Sequence, residues 1–151
     1  LSTLNQDQLS YTLNEFEENS KIGGWIYLAN THLTLNNITI LEKKIEDFNL
    51  NSKSLFSVGI IINELITNAF KYAFSEVEVG KIIVSARKID ADNVELIVSD
   101  NGKGLPGDFN IKNSKGFGLS LIKLLTQKKG NIFESIDTNG NGTQFRILLS
   151  V

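Results

Sequence analysis

E-L-I-T-N-A-F-K-Y-A-F, Glu64 to Phe74, sits inside a longer apolar run that begins near Leu55. On a helix, Glu64, Asn68, Lys71 and Tyr72 follow one another at spacings of four, three and one, so they share a face. Val58, Ile61, Ile62, Leu65, Ala69 and Ala73 form an apolar stripe on another face, as in a helix packed on a core. A carboxylate, an amide and an ammonium pointing one way from such a helix suit a polyanion and its metal. An amide oxygen can ligate Mg²⁺, an ammonium can pair with phosphate, and a carboxylate can orient or deprotonate a nucleophile. The competing reading is a solvated face with a Glu–Lys pair.

Working outward, Asn51 or Ser52 is the expected cap of this helix, and Ile38 to Phe48 before it alternates as a strand, with Ile38, Ile40 and Ile45 inward. After the helix, Ser75 to Gly80 connects to a hairpin. Lys81–Lys88 and Val94–Ser99 alternate with period two across Asp90–Asn93, placing Ile82, Val84 and Ala86 on one face and Val94, Leu96 and Val98 on another. The second strand runs into D-N-G-K-G-L-P, Asp100 to Pro106. Gly107 to Lys115 is polar and without period, which predicts a loop, and Gly116-Phe117-Gly118 opens a helix from Leu119 to about Lys129. Gly130 is its expected stop, with Lys128 and Lys129 complementing its negative end. Asn131–Asp137 and Thr143–Ser150 form a last hairpin around N-G-N-G.

Two glycine motifs carry chemistry. In Asp100-x-Gly102-x-Gly104, a carboxylate at a strand end can accept a hydrogen bond from an exocyclic amine, while the glycines let the backbone approach a flat ring. Alone, the motif is equally ordinary turn chemistry. In Gly116-x-Gly118-Leu119, free N–H groups at a helix start form a phosphate cradle. The pattern lacks the G-K-[ST] of a Walker loop and the third glycine of a dinucleotide fingerprint.

The order of these pieces resembles the ATP-binding domain shared by sensor histidine kinases, type II topoisomerases, Hsp90 chaperones and mismatch-repair ATPases. Glu64–Asn68–Lys71–Tyr72 is similar to the N box, Asp100–Gly104 to the G1 box, Gly116–Leu119 to the G2 box, and Gly140–Thr143 to the closing G-x-G-T, over roughly residues 36 to 151. Within that superfamily, G-I-I-I-N-E-L-I-T-N-A-F-K-Y-A-F looks most like the histidine kinases. The resemblance implies an α/β two-layer sandwich of Bergerat type, with a mixed, mostly antiparallel sheet and helices on one face. It implies ATP as cofactor under a lid at about Pro106 to Lys115, with Mg²⁺ on Asn68 and the adenine amine on Asp100. Gly102 and Gly104 would frame the base, Lys71 would contact phosphate, and Tyr72 would lie along the nucleotide edge. Gly116 and Gly118, with Phe117 and Leu119 between and beyond them, would hold the phosphates. Thr143 would support Asp100 through water, and Glu64 would take the general-base position, here orienting an acceptor imidazole or a water.

At 151 residues the chain is expected to form one domain with a real core. It has no cysteine, which excludes disulfides, thiolate nucleophiles and Cys-based zinc sites, and its single His makes a His-rich metal site unsupported. A net charge of −2 with scattered bases gives no footprint for nucleic acid. No run approaches a membrane span or a signal peptide, so membrane contact by this region is not expected and a cytoplasmic location is, even within a membrane-bound sensor. The start at Leu1 predicts a piece of something larger: residues 1 to 22 as the remnant of an upstream helical dimerisation and phosphoacceptor segment, and 23 to 151 as the ATP-binding domain. His32, in N-T-H-L-T-L, has no acidic or basic residue after it and is expected to be structural. The acceptor His would then sit on a separate domain, in a homodimer served by a response regulator. Two alternatives keep the fold: an anti-sigma-factor-type serine kinase, and a nucleotide-gated interaction module without turnover.

Overall fold

The computed structural model describes residues 39–75, 79–136 and 138–151, with side chains described from Leu41 onward. The expected helix before Ser20, the break at Gly23–Gly24, the segment Trp25–Leu35 with His32, the side chains of Ile38 and Ile40, and the middle of the Ser75–Gly80 connection lie outside the described residues. In chain order the elements are β1 (Thr39–Ile45), α1 (Ser52–Tyr72), β2 (Gly80–Lys88), β3 (Asn93–Asp100), a 3-10 turn (Ile111–Asn113), α2 (Phe117–Leu125), β4 (Ile132–Ile136) and β5 (Thr143–Ser150).

The 21-residue α1 starts where Asn51 accepts the Ser54 N–H at 2.9 Å, one of the two predicted caps. Its stripe Val58, Ile61, Ile62, Leu65, Ile66 and Ala69 is buried, and each large aliphatic chain so removed from water contributes about 1.5–3 kcal/mol. The stripe packs on a five-stranded sheet of order β1-β2-β3-β5-β4, in which β1 runs parallel to β2 and every other pair is antiparallel. Ile82, Val84 and Ala86 of β2, Val94, Leu96 and Val98 of β3, and Phe145, Ile147 and Leu149 of β5 face the helices, and Ile122 of α2 joins the same core. The architecture is an α/β two-layer sandwich with its helices on one face. Register does the positioning: Asp100 pairs with Thr143 at the end of the β3–β5 ladder, which sets D-x-G-x-G beside G-x-G-T.

Three local expectations are corrected. The first strand stops at Ile45 rather than Phe48; of its described side chains Leu41 and, as expected, Ile45 pack on the core. Glu46 still donates its N–H to the Ala86 carbonyl at 3.0 Å, after which Phe48 and Leu50 pack on the core outside the ladder. Helix α2 ends at Leu125, not Lys129: Thr126 is its C-cap, with its N–H and hydroxyl both on the Ile122 carbonyl, and the next N–H, of Gln127, turns to the Leu124 carbonyl at 3.3 Å. Gly130 serves a turn beyond the helix, and Lys123 rather than Lys128 or Lys129 lies in the last turn. The 107–115 loop holds a 3-10 turn capped by Asn110, and Phe109 and Ile111 pin it to the core.

The sheet face opposite the helices carries a charge row. Glu95 is 4% exposed, yet both its oxygens are paired: Oε2 with Arg87 Nε and Oε1 with Arg146 Nε, each at 2.7 Å. Arg146 reaches on to Glu134 at 2.9 Å. Burial alone would raise the Glu95 carboxyl, but the two guanidinium hydrogen bonds outweigh it and hold the group below its ordinary value of 4.5.

A candidate nucleotide cleft built from four motifs

Between α1, the loop after β3, and the start of α2 lies a cleft of about 700 Å³. Glu64, Asn68, Lys71, Tyr72, Asp100, Gly104, Gly116, Phe117, Gly118, Leu119 and Thr143 all line it. Of the residues given a role toward the nucleotide from the sequence only Gly102 does not; it is buried behind the wall. The floor is apolar, with Leu65, Ala69, Val98 and Phe145 contributed by three elements of the core. A flat apolar slot with a few convergent polar groups is the usual form of a small-molecule site.

Asp100 is the most constrained of those groups. Its Oδ1 accepts the Gly102 N–H at 2.9 Å and the Thr143 N–H at 3.2 Å, and the Thr143 hydroxyl bonds the carboxylate as well, so Thr143 meets it directly through both backbone and side chain. Burial pushes the Asp100 carboxyl up from its ordinary 3.8, and the Gly102 and Thr143 hydrogen bonds pull it only part of the way back. Such a carboxylate gains by accepting a bond from a donor that enters the cleft.

Close backbone approach explains the glycines around it. A Cβ on Gly102 would overlap Ala73, whose carbonyl also accepts the Lys103 N–H at 3.0 Å. The loop is thereby clamped to the end of α1. Gly142 adopts φ +85° with its Cα against the Asp100 carbonyl, where no side chain fits.

Asn101 is a positioning residue the sequence reading passed over. Its Oδ1 accepts the Lys81 N–H at 2.6 Å, its Nδ2 donates to the Val79 carbonyl at 3.1 Å, and its own N–H donates to the Lys81 carbonyl at 3.1 Å. The side chain extends the β2–β3 ladder past its last pair and holds the loop while Gly102 turns away. Its only sequence signal was its place between Asp and Gly, which turn chemistry also explains. Lys103 and Phe109, likewise passed over, line the cleft as well.

Among the described residues no group of three or more His, Cys, Asp or Glu side chains could hold a metal unaided. The oxygen donors on the cleft wall, Asn68 with Glu64 one turn away, fit a hard cation that brings most of its ligands with it, as Mg²⁺ does on nucleotide phosphates.

The chain belongs to the family described as histidine kinase-, DNA gyrase B-, and HSP90-like ATPases, which matches residues 56–151. Its relatives include blue-light-activated histidine kinase 2 of Erythrobacter litoralis, 27% identical over 86 residues, 57% of this chain and 25% of that protein. Sensor histidine kinase/phosphatase LytS of Staphylococcus aureus is 32% identical over 101 residues, 59% of this chain and 17% of that one. The chain thus spans a quarter or less of the curated relatives it matches. Among solved structures, a histidine kinase domain from an Erythrobacter litoralis blue-light activated histidine kinase superposes with a TM-score of 0.74 at 20% identity, covering 85% of this chain and 60% of that one. Mycobacterial sensor histidine kinase MprB gives 0.61 at 19%, covering 85% and 91%. At these identities the structural likeness speaks for the fold. Among the described residues no helix is long and apolar enough to cross a membrane.

Proposed function

We propose that the cleft binds Mg²⁺–ATP and that this domain transfers the γ-phosphoryl group to a histidine on a separate dimerisation domain, as the catalytic part of a cytoplasmic sensor histidine kinase module. The observation that carries the reading is the convergence of Asp100, over an apolar floor, with the open start of α2 on one cleft. Adenine would lie on Leu65, Ala69, Val98 and Phe145 with its amine on Asp100 Oδ2. The triphosphate would then run toward Lys71 and the N–H groups at Gly116–Gly118, where helix polarity favours negative charge. Mg²⁺, held by Asn68 and phosphate oxygens, would supply charge neutralisation. The protein's contribution is positioning and electrostatics. In the transfer, a lone pair on the acceptor imidazole forms the N–P bond as the bond from the γ-phosphorus to the bridging oxygen breaks. ADP leaves with the electron pair of the broken P–O bond, and the proton of the other ring nitrogen passes to a base or to water, a step Glu64 would assist.

The relatives named as sensor histidine kinases favour an imidazole acceptor over the hydroxyl of a serine kinase. The test supplies γ-labelled ATP, Mg²⁺ and, in trans, a histidine-bearing acceptor domain of a sensor histidine kinase. Label that is lost in acid and kept in alkali supports phosphohistidine. Label stable to acid would move the reading to the serine kinase, and nucleotide binding without any transfer would move it to a gated interaction module.

A further inference from the structure

The two glycines of Gly116-Phe117-Gly118 are not equivalent. A Cβ on Gly116 would meet nothing within 4 Å, and this residue has an ordinary extended backbone. A Cβ on Gly118 would overlap Glu64 Oε2 and stand 3.3 Å from Glu64 Cδ. Gly118 has no positive φ to excuse it, and inside a helix glycine costs about 1 kcal/mol relative to alanine. What the missing side chain leaves is room for a carboxylate. That carboxylate lies beside the first turn of α2, whose capping residue, Gly116, makes no side-chain hydrogen bond to the turn's free N–H groups.

We propose that Gly118 is a positioning residue for Glu64: the space of its absent Cβ seats the Glu64 carboxylate on the flank of α2 that faces α1, to the side of the open N–H groups toward which the phosphates run. The inference rests on the nucleotide reading above and assigns Gly118 a role distinct from holding phosphate. Glu64 is half-buried and lines the cleft, so leaving the seat turns its charge into the cleft, where the triphosphate must run. The contact is with the flexible end of the side chain, so Gly118→Ala folds and moves the carboxylate instead of breaking the helix.

The test is a double-mutant cycle on Mg²⁺–ATP affinity with Gly118→Ala, Glu64→Ala and the pair, run beside the Glu64 side-chain carboxyl resonance by ¹³C NMR. Gly118→Ala is expected to weaken binding about tenfold or more with Glu64 present, and less than about twofold once residue 64 is alanine. The Glu64 resonance is expected to shift in Gly118→Ala. Gly116→Ala controls for size: its effect is the same in both backgrounds. Equal losses from Gly118→Ala in both backgrounds, meaning that its Cβ meets the nucleotide itself, would overturn the proposal, as would an unmoved Glu64 resonance. Failure of the wild-type protein to bind Mg²⁺–ATP would instead sink the nucleotide reading, and the resonance alone would then judge the seat.

Discussion

Thr143 donates its backbone N–H to Asp100 Oδ1 at 3.2 Å, across 43 residues of sequence. The bond joins two glycine motifs through strand register and occupies the Oδ1 oxygen of the carboxylate. A neutral Asn at position 100 keeps an Oδ1 acceptor for the Gly102 and Thr143 N–H groups and replaces Oδ2 with an amide NH₂ donor.

A carboxyl whose folded pKa lies above its unfolded 3.8 binds more protons in the native state, so its ionisation disfavours the fold as pH rises from 3.8 through the folded value. Asp100→Asn is therefore expected to gain stability relative to wild type across that window and to hold a constant advantage above it. Thermal melts of both proteins between pH 3 and pH 8 check this; a constant difference at every pH would contradict it.

Gly102→Ala drives a methyl into the Ala73 carbonyl and Cβ. Neither is the tip of a flexible chain, so backbone must move, at a cost of about 1–3 kcal/mol. Chemical denaturation should show that loss together with weaker nucleotide binding, because the same loop carries Asp100. Full stability in Gly102→Ala would mean the clamp between the loop and α1 is slack.

Glu95 is buried between two arginines that are themselves partly in water. Glu95→Ala takes this partner from Arg87 and leaves Arg146 with Glu134 alone, and the expected loss is about 1–3 kcal/mol, less than for a fully buried pair because solvent screens the arginines. A carboxyl held below 4.5 contributes stability above that value and loses it as pH falls through the folded pKa. Wild type should thus lose its advantage over the variant in acid, below about pH 4.5. An advantage that persists at pH 2 would show that packing, not charge, is what Glu95 contributes.

Ile62, fully buried under the sheet, tests the core stripe of α1. Ile62→Ala is expected to destabilise by about 2–5 kcal/mol in urea unfolding. A loss under 1 kcal/mol would mean that α1 is not tightly packed at its midpoint.

The elements carried by local periodicity were legible before any coordinates. The α1 stripe from Val58 to Ala73 and the alternation on either side of Asp90–Asn93 depend only on residues near one another in sequence. The gathering of the N, G1 and G2 boxes on one cleft was legible through their order. What sequence concealed depends on distant partners or on one hydroxyl. Thr126 looks neutral in a helical pattern, yet it caps α2 before Gly130 is reached. Glu95 reads as part of a solvated strand face until register sets Arg87 and Arg146 beside it. Phe109 and Ile111 sit in a polar loop with no period, and only the core beneath shows them as anchors. The Glu64–Gly118 contact joins two helices far apart in the chain, so neither residue hints at the other.

The most direct test of the central claim, that Asp100 reads adenine in this cleft, is isothermal calorimetry of Mg²⁺–ATP against Mg²⁺–GTP, on wild type and Asp100→Asn. The account predicts saturable binding of ATP, preference over GTP, and loss of ATP binding by about tenfold or more in a folded Asp100→Asn. Equal affinity of the variant for ATP, or no binding to folded wild type at millimolar nucleotide, would contradict it.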